Sequence, residues 1–430
     1  MTPARDADLY RAPKGTLDVL PPESARWEYL IARFAARTER YGYGLVVSPM
    51  FEHVEVFQRV GESTDVVRKE MYVFEDQGGR RYALRPEGTA SVVRTYVEHR
   101  PTPPWKVWYV SPFFRAERPQ KGRYRQHVQL GVEAIGTDDP DVDVEVIALL
   151  HGFYRDLGLQ RFRLQINSMG DAESREHYRE VLLAYWRAHA DLLGDEMERA
   201  ELNPLRILDS KRPDWQATID AAPKLAEYLT PAAIDAFARV QAGLTALGIA
   251  FEINPRLVRG FDYYTGTVFE FASDALDSAQ NAIGGGGRYN KLSEEMGGPE
   301  APAIGFGAGI ERLLMACTEE GVCPAPTSRT DVFVVDTIGN LEAVTLLEEL
   351  RSAGVRADRA YGGRSLKAQM KVADKSGAPV VLILGEHEAA RGCVSWKDLR
   401  TGEQTEVPRA EAAARAVAFL HDAATRGVLS

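Results

Sequence analysis

The segment 258–270 combines residue types that suit a pocket for an anion and a ring. Arg259 shortly precedes the paired phenols Tyr263 and Tyr264. A guanidinium stays charged and binds oxygen anions in a bidentate manner, and a phenol adds an aromatic face and a hydroxyl. The end of the segment, 267–271, alternates apolar and polar residues as a strand with one buried face does. The pattern therefore indicates a ligand pocket at the start of a strand, or else an ordinary strand start with a surface arginine and half-buried tyrosines.

A second segment, 113–133, has the pattern of a strand, a basic loop and another strand. From 115 to 125 it carries five basic residues against one acidic residue. On the second strand, the period of two places His127, Gln129 and Glu133 on one face. A solvent-exposed strand face would show the same alternation, but the charge bias of the loop favours contact with phosphate. The segment thus predicts a polar ligand site next to a phosphate-binding loop.

A third segment, 303–315, runs from a glycine-rich strand into an amphipathic helix. Its glycines, Gly305, Gly307 and Gly309, lack the final glycine of a dinucleotide-binding GxGxxG loop. The chain also has no GxxxxGKS or GxxxxGKT motif, so both kinds of nucleotide-binding loop are weakly supported. The glycines would instead keep one strand face clear for a flat base, with Arg312 reaching phosphate from the start of the helix. A glycine-rich strand, turn and helix without a ligand is the other interpretation.

The whole chain has the composition of a globular protein and no overall basic character. It has 430 residues, of which 45% are hydrophobic and 27% charged, and its formal net charge is -10. At roughly 150 residues per domain, this length predicts about three domains. The acidic balance excludes nucleic-acid binding by bulk charge, although it allows local basic patches.

The cysteines and the termini indicate a compartment. Cys317, Cys323 and Cys393 form no CxxC pair, so a disulfide framework or a zinc site is not expected and a reducing compartment is favoured. The N-terminus lacks the apolar core of a signal peptide. The sequence contains no apolar run of about 18 residues, so no membrane span is expected. These features predict a cytoplasmic protein.

The elements around these segments follow from apolar spacing and turn residues. Predicted are a helix over 23–41, a hairpin over 71–84, strands over 106–111 and 125–136, a helix over 141–157, a helical stretch over 170–250, and buried strands over 331–336 and 379–385. Strands and helices come in runs rather than in strict alternation, which favours an α+β fold with an antiparallel or mixed sheet. The Pro- and Ser-bearing stretch 321–330 predicts a linker before a compact α/β tail.

Together, these segments resemble the signature motifs of class II aminoacyl-tRNA synthetases, and specifically those of the histidyl-tRNA synthetase family. The matching segments are 14–21, 84–89, 115–133, 258–264, 285–289, 305–312 and, in the tail, 369–375. The resemblance implies an α+β class II catalytic domain built on an antiparallel sheet, with a helical insertion, and a C-terminal α/β anticodon-binding domain. The implied boundaries are 1–169 and 251–320 for the two parts of the catalytic domain, 170–250 for the insertion, 321–330 for the linker and 331–430 for the anticodon-binding domain.

The resemblance implies that histidine and ATP form histidyl-adenylate, and that the histidyl group then passes to its tRNA. Arg115 and Arg259 are the implied catalytic residues, since they would hold the reacting phosphate. The implied histidine-binding residues are Glu87, Gly88, Thr89, Arg115, Gln129, Glu133, Arg259, Tyr263, Tyr264 and Tyr289. The implied ATP-binding residues are Arg115, Glu117, Arg123, His127 and Arg312. ATP would be a substrate and would bring Mg²⁺ with it. No metal site whose ligands all come from the protein is expected.

The resemblance also implies the partners: L-histidine, ATP, a histidine-specific tRNA and a second copy of the chain. Gln120 and Arg123 are candidates for contact with the acceptor end of the tRNA, and the basic stretch 356–375 belongs to the domain that would meet the anticodon. The helix over 23–41 and its lead-in match the motif that forms the dimer interface in this class, so a homodimer is expected. His127 departs from the phenylalanine that is common in the family, but a histidine ring can also stack on adenine.

Two other functions are compatible with parts of the pattern. A catalytically silent paralogue that binds histidine and regulates ATP phosphoribosyltransferase shares the catalytic-domain fold, but it lacks the tail and degrades the catalytic arginines. A pure RNA-binding module would need basic and aromatic surfaces but not Glu87, Gln129 and Glu133. This chain keeps Arg115, Arg259, Arg312 and the tail over 330–430, which favours the enzyme.

Overall fold

The structure is a computed structural model that describes residues 10–59, 67, 69–208, 210, 212–257, 263–277, 281–325, 328–339 and 341–425. The chain divides into two compact units, Met1–Pro324 and Ala325–Ser430. The division falls inside the stretch 321–330 that the sequence predicts as a linker. The other domain boundaries remain predictions.

The first unit begins with the elements that frame a large sheet. In chain order they are α1 (Glu23–Arg40), β1 (Gly44–Leu45), β2 (Phe51–His53), α2 (Val54–Gln58), β3 (Val73–Glu75), β4 (Arg81–Leu84), α3 (Thr89–His99), β5 (Trp105–Phe114), β6 (Gln126–Ile135), α4 (Pro140–Asp156) and β7 (Phe162–Ser168). The predicted first helix is confirmed as α1, and the predicted hairpin as β3 with β4. The predicted helix over 141–157 is α4, which has a proline in its first turn and an Asp139 side chain that accepts a hydrogen bond from the Asp141 N–H.

A run of helices follows β7. It contains α5 (Ala172–Ala188), α6 (Ala190–Leu193), α7 (Met197–Leu202), α8 (Leu205–Leu208), α9 (Gln216–Asp220) and α10 (Pro231–Ala246), with short 3₁₀ turns at Gly194–Glu196, Pro213–Trp215 and Leu225–Tyr228. The helices α5 to α9 enclose a hydrophobic core of their own that includes Tyr178, Leu182 and Trp186. In contrast, α10 packs on α4, and its Val240 and Leu244 belong to the core of the main sheet. We call α5 to α9 the helical insertion.

The chain then returns to the sheet. The remaining elements of the first unit are β8 (Glu252–Ile253), β9 (Thr265–Ser273), β10 (Ala282–Arg288), α11 (Leu292–Glu295), β11 (Ala303–Gly309) and α12 (Ile310–Glu319). The main sheet has eight strands in the order β1-β5-β6-β11-β10-β9-β7-β8, and a smaller sheet has the order β2-β4-β3. Neighbouring strands of the main sheet are antiparallel except at its edges, where β1 pairs with β5 and β8 with β7 in parallel. The predicted α+β fold with a mainly antiparallel sheet is confirmed.

The two faces of β6 have different environments. Leu130 and Val132 are fully buried and belong to the core that α1, α4 and α12 also supply. The alternate residues, His127, Gln129 and Glu133, face the other side of the sheet, as the period of two predicts. This second face of the sheet therefore carries the polar side chains that the sequence analysis assigned to a ligand site.

The second unit is a smaller α/β structure. Its elements are β12 (Val332–Asp336), α13 (Glu342–Ser352), β13 (Ala357–Arg359), α14 (Leu366–Ser376), β14 (Val380–Leu384), α15 (Glu386–Ala390), β15 (Cys393–Asp398), β16 (Gln404–Pro408) and α16 (Ala412–Thr425), with a 3₁₀ turn at Arg409–Glu411. The strand order is β13-β12-β14-β15-β16. The pairs of β12 with β13 and with β14 are parallel, and the other two pairs are antiparallel. The two buried strands predicted in the tail are confirmed as β12 and β14.

Candidate active site

A cavity of about 470 Å³ opens on the polar face of the main sheet. Its walls come from the start of α3, from β5, β6, β9, β10, β11 and the start of α12, and from the loop between β5 and β6. The three segments that the sequence singled out, 113–133, 258–270 and 303–315, therefore contribute to one site. A cavity of this size is in the range of small-molecule binding sites.

Behind the cavity, the side chain of Glu133 is the centre of a buried hydrogen-bond network. Thr89 Oγ1 donates to Glu133 Oε1 at 2.8 Å, and the Tyr109 hydroxyl lies 3.4 Å from the same oxygen. The Tyr289 hydroxyl donates to Glu133 Oε2. The side chains of Glu133, Tyr109 and Tyr289 are only 0%, 4% and 1% exposed. The network, which we call the Glu133 network, therefore joins β6, α3, β5 and the residue after β10, and its members Thr89 and Tyr109 also line the cavity.

Opposing effects set the proton affinity of Glu133. Burial favours the neutral acid, as does the nearby Glu87 carboxylate, whereas the hydroxyl groups of Tyr289 and Thr89 favour the ionised form. The net effect raises the pKa of Glu133 to about 8. Near neutral pH, this carboxyl can therefore share a proton with a basic ring placed against it.

The glycines of β11 have two different roles. Gly305 lies opposite Glu133 in the strand register, and a methyl group added to Gly305 would overlap that carboxylate. Gly307 and Gly309 line the cavity instead. The sequence interpretation assigned all three glycines to a clear face for a flat base. In the structure Gly305 makes room for Glu133, because the two strands place these residues directly opposite each other.

Gly305→Ala should therefore destabilise the protein by about 1–3 kcal/mol, the usual effect of overpacking a buried site. For the reaction that the sequence resemblance implies, it should also raise the KM for histidine, since the added methyl group displaces Glu133. Chemical unfolding and ATP-pyrophosphate exchange measure the two effects. Gly309→Ala is the matched control on the same strand, because a methyl group at Gly309 has no atom within 4 Å. Equal stability of the two variants would contradict the close fit of Gly305 to Glu133.

Glu87 stands at the N-terminus of α3 and is held by the backbone. Its carboxylate accepts hydrogen bonds from the Thr89 N–H at 2.7 Å and from the Ala90 N–H at 2.8 Å. Burial raises the pKa of Glu87, although these bonds and the charge of Arg115 act against the shift. Arg115 in turn donates its Nε to the Pro86 carbonyl oxygen at 2.9 Å. The cation and the carboxylate are thus fixed next to each other at the edge of the cavity.

Among the described residues, three arginines line the cavity, and they come from two parts of the fold. Arg115 and Arg123 belong to the loop between β5 and β6, and Arg312 to α12. Arg123 forms an ion pair with Glu117, and Arg312 Nε donates to the Gly122 carbonyl oxygen at 2.9 Å. Burial lowers the pKa of Arg115 and of Arg312, and the charge of Arg123 lowers both further. Because guanidinium groups remain charged nevertheless, they form a cationic wall suited to a polyanion.

His127 presents a neutral ring beside this wall. Burial, followed by the charges of Arg115 and Arg312, lowers the pKa of His127 to about 3. Its ring centre lies 6.1 Å from that of Phe113. An uncharged aromatic ring at this position can stack against a flat base as phenylalanine does.

The structure brings most of the predicted site residues together. Those that line the cavity are Glu87, Gly88, Thr89, Arg115, Glu117, Arg123, His127, Gln129, Tyr263, Tyr264 and Arg312. Glu133 and Tyr289 lie behind the cavity in the Glu133 network. Arg259, which the resemblance implies as a catalytic residue, lies outside the described residues.

Several cavity residues received no role in the sequence analysis, and they include Tyr109, Glu270 and Glu311. Tyr109 lies opposite Gly131 in the register of β5 and β6, and a methyl group at Gly131 would overlap its ring. The alternation along β5 could have indicated which face Tyr109 occupies. Assigning that face to the site requires the register of β5 with β6, which only the structure gives. Glu311 accepts a hydrogen bond from the Val128 N–H at 2.9 Å, and burial raises the pKa of Glu311 to about 7.

No group of three or more His, Cys, Asp or Glu side chains within the described ranges is arranged to hold a metal ion. Glu117 and Glu270 are the cavity carboxylates whose charges act on Arg312. None of the described helices is both long enough and apolar enough to cross a membrane.

Comparison with known proteins identifies relatives over both units. The family model described as Histidyl-tRNA synthetase matches residues 15–313, and the model described as Anticodon binding domain matches residues 331–418. A histidine-tRNA ligase of Saccharopolyspora erythraea is 49% identical over 94% of this chain and 97% of its own. One of Geobacillus kaustophilus is 48% identical over 96% and 98%, respectively. The structure of apo S. aureus histidyl-tRNA synthetase is similar with a TM-score of 0.80 at 37% identity, covering 94% of this chain and 99% of that chain.

Proposed function

The chain belongs to the histidyl-tRNA synthetase family, and on that premise we propose how its cavity residues divide the work of the reaction. The enzyme ligates L-histidine to tRNA with the use of ATP. The observation that supports the proposal is that the Glu133 network and the three cavity arginines adjoin the same cavity. A carboxyl group for a basic ring and guanidinium groups for phosphates are the two kinds of contact that activation of histidine needs.

The first step is attack of the histidine carboxylate on the α-phosphate of ATP. Both groups are anions, so the site must neutralise charge and align the reactants. Arg115 contacts both the histidine carboxylate and the α-phosphate. Its guanidinium lies close enough to Glu87, on the amino-acid side, and to Arg123, in the phosphate-binding loop, for their charges to affect its pKa. Arg312 holds the terminal phosphates. Arg259 faces the α-phosphate, a role that rests on the family resemblance alone.

The imidazole of histidine is recognised by Glu133. Free imidazole has a pKa of about 6.5, and the pKa of Glu133 is raised to about 8, so the two groups are matched for sharing one proton in a short contact. The hydroxyl groups of Thr89, Tyr109 and Tyr289 hold the carboxyl in place. Tyr264, in the cavity wall, supplies a second polar contact to the ring. A buried polar pocket rejects amino acids that lack the partner groups, by roughly 10⁴-fold or more.

The other cavity residues hold the amino group and the nucleotide. Glu87 and Gln129 accept hydrogen bonds from the α-ammonium, and the neutral ring of His127 stacks on adenine. Mg²⁺ enters with ATP, because this ion prefers phosphate oxygens together with one or two carboxylates. Glu117 and Glu270 would supply these carboxylates, because both lie near Arg312, which is proposed to hold the terminal phosphates. The bound ion would neutralise charge on the phosphates.

Contacts with tRNA are proposed at two places, each within one unit. At the tip of the loop between β5 and β6, Gln120 and Arg123 form a tight turn through reciprocal backbone hydrogen bonds of 3.0 and 2.9 Å, and this tip meets the acceptor end. In the second unit, Lys367, Lys371 and Lys375 are exposed and recur every four residues along α14, so they share one face for the anticodon. A cytoplasmic location follows from this substrate.

The basic stretch 356–375 contributes fewer free charges than the sequence suggests. Arg356 forms an ion pair with an aspartate, as does Arg359. Their charges are balanced locally, and the proposal for anticodon contact therefore rests on the lysines of α14.

The silent regulatory paralogue is less supported than the enzyme. According to the sequence resemblance, such a paralogue would lack the tail and would have degraded catalytic arginines. This chain matches the anticodon-domain model over 331–418, and Arg115 and Arg312 line its cavity.

A homodimer is proposed from a cluster of exposed apolar side chains near β1 and the small sheet. Leu45, Val47, Met50, Phe51 and Phe74 are 59%, 81%, 51%, 49% and 41% exposed. The ring centres of Phe51 and Phe74 lie 5.8 Å apart, so their exposed faces form a continuous patch. Contiguous apolar surfaces of this kind on soluble proteins mark protein interfaces. The partner is proposed to be a second copy of the chain, because α1 and its lead-in match the motif that forms the dimer interface in class II synthetases.

Val47→Glu should shift the protein from dimer to monomer in sedimentation experiments at micromolar concentration. The introduced charge would lose its hydration in an apolar interface, which is unfavourable without a partner charge. Leu247→Glu is the matched control, because Leu247 is also exposed, at 57%, but lies at the end of α10. A wild-type protein that sediments as an active monomer would refute the dimer.

The function is tested by ATP-pyrophosphate exchange with each of the twenty amino acids in turn. We expect exchange with histidine and no measurable exchange with the other amino acids, because the pocket combines Glu133 with three hydroxyl groups. Binding of histidine without any exchange would instead support the regulatory paralogue. Binding of RNA without binding of histidine would support an RNA-binding module.

A further inference from the structure

We propose that the helical insertion positions the histidine pocket, and that Leu205 and Arg256 are the positioning residues through which it does so. This inference rests on the proposed function only in taking the pocket beside Tyr264 as the site for histidine. Neither residue lines the cavity, so both would act through the described side chains that pack beside the pocket, Leu257 and Tyr264.

Leu205, at the start of α8, belongs to two apolar clusters. It packs against the core of the insertion, which includes Trp186 and Leu225. It also packs against a small buried cluster of the main sheet formed by Met169, Leu257 and Val268. Leu205 therefore connects the insertion to Leu257, the residue directly before the segment 258–264 that resembles the family.

Tyr264 continues this connection to the pocket. Its ring packs against the same small cluster as Leu205, and also against the cluster that contains Tyr263 and Tyr289. Tyr289 is the residue that donates to Glu133. A displacement of the insertion is thus transmitted by packed side chains to the ring that faces the substrate imidazole.

Arg256 makes a second, polar connection. Its Nη1 donates to Gln216 Oε1 at 3.2 Å, and its Nη2 forms an ion pair with Asp220. Both partners belong to α9 of the insertion. The backbone N–H of Arg256 donates to Asn254 Oδ1 at 3.0 Å, so its main chain is tied to the sheet side while its side chain reaches the insertion.

The sheet side of this segment is firmly anchored. The Asn254 N–H donates to the Ile166 carbonyl oxygen at 2.9 Å, and Asn167 Nδ2 donates to the Leu257 carbonyl oxygen at 3.2 Å. Residues 254–257 are therefore held by β7. The contacts of Leu205 and Arg256 also link these residues to the insertion.

The two chain connections of the insertion meet at one point. Asp171 caps α5 by accepting from the Ser174 N–H, and its other oxygen accepts from the Thr230 hydroxyl, which caps α10. A body joined to the sheet at a single junction can pivot there. Additional contacts at Leu205 and Arg256 would restrict that pivoting and hold the pocket in one geometry.

The first test is Leu205→Ala, read as ATP-pyrophosphate exchange and as histidine affinity by calorimetry. We expect the KM and the Kd for histidine to rise by about three- to tenfold, the range expected for residues that affect a site without touching its ligand. The KM for ATP should stay unchanged. Leu208→Ala is the matched control, since Leu208 packs against the insertion core but not against the cluster of Met169 and Leu257.

The second test is a double-mutant cycle on the ion pair. Arg256→Met and Asp220→Asn should each raise the KM for histidine by a smaller factor, about two- to fivefold, because the pair is partly exposed. The double variant should show no further rise, and Arg256→Lys should recover most of the loss. Arg187→Met is the matched control, since it breaks an exposed pair with Glu201 inside the insertion.

The proposal is overturned if Leu205→Ala leaves the KM and Kd for histidine at their wild-type values. It is also overturned if Leu208→Ala raises them equally, or if the KM values for ATP and histidine rise together, since either result means a general loss of structure. Failure of the proposed function is a different result: the wild-type protein would then show no exchange with histidine, whereas the calorimetric Kd would still test the role of Leu205.

Discussion

Arg115→Ala is expected to slow the formation of histidyl-adenylate by about 10²- to 10³-fold, the usual effect of losing one donor to a transition state. The Nε bond to Pro86 fixes the guanidinium of Arg115 at the edge of the cavity, near Glu87. In the proposed reaction it neutralises the two anions that must approach each other. The measurement is the rate of ATP-pyrophosphate exchange at saturating histidine and ATP, with thermal unfolding to show that the variant is folded.

Two further variants define the role of Arg115. Arg115→Lys should recover little of the rate, because an ammonium group does not reproduce the bidentate fork of a guanidinium. Arg125→Ala is the matched control from the same loop, since Arg125 Nε donates to the Glu117 carbonyl oxygen at 3.1 Å and Arg125 does not line the cavity. An unaltered exchange rate in Arg115→Ala would remove this residue from the mechanism.

Glu133→Gln is expected to lower kcat/KM for histidine by about 10²-fold or more, mainly through KM. The amide places an N–H₂ group against hydroxyl groups that now donate to carboxyl oxygens, and in the proposed binding mode the imidazole loses the group with which it shares a proton. Each buried donor left unsatisfied costs about 1–3 kcal/mol, so two such losses account for the factor. Exchange measured against histidine concentration tests the expectation. Glu311→Gln is the control, because an amide oxygen can still accept from the Val128 N–H and the KM for histidine should not change.

The same variant should change the pH dependence of stability. The pKa of Glu133 is raised from 4.5 to about 8 in the folded protein, so the stability that the neutral acid contributes is complete below the unfolded-state pKa. That contribution is lost progressively as the pH rises from about 4.5 to about 8, and it is gone above the folded-state pKa. The Tm of the substrate-free enzyme should therefore fall over this interval and level off above it, and the fall should be smaller in Glu133→Gln. A wild-type KM for histidine in this variant would refute the role of Glu133 in recognition.

Local features of the chain were sufficient to predict much of the fold. The helices α1 and α4 were predicted from apolar residues spaced along one face. The helical run after β7 was predicted as one block over 170–250. The structure separates α10, which packs on α4, from the insertion core. An amphipathic helix can pack on either of two neighbouring cores, so its periodicity does not tell which one it joins.

The sequence by itself determined the family, the fold class and most of the residues that line the cavity, because its motifs are local. Glu87, Gly88 and Thr89 are consecutive, and the period of two along β6 places Gln129 and Glu133 on one face whatever strands lie beside it.

Only the tertiary structure decided the surroundings and the proton affinity of Glu133. That Tyr109 joins its network, that Gly305 makes room for it and that its pKa rises to about 8 all depend on the pairing of β5, β6 and β11. These strands are brought together from distant parts of the chain. Burial is a property of the assembled core, so the proton affinity of a carboxyl cannot be read from the residues next to it in sequence.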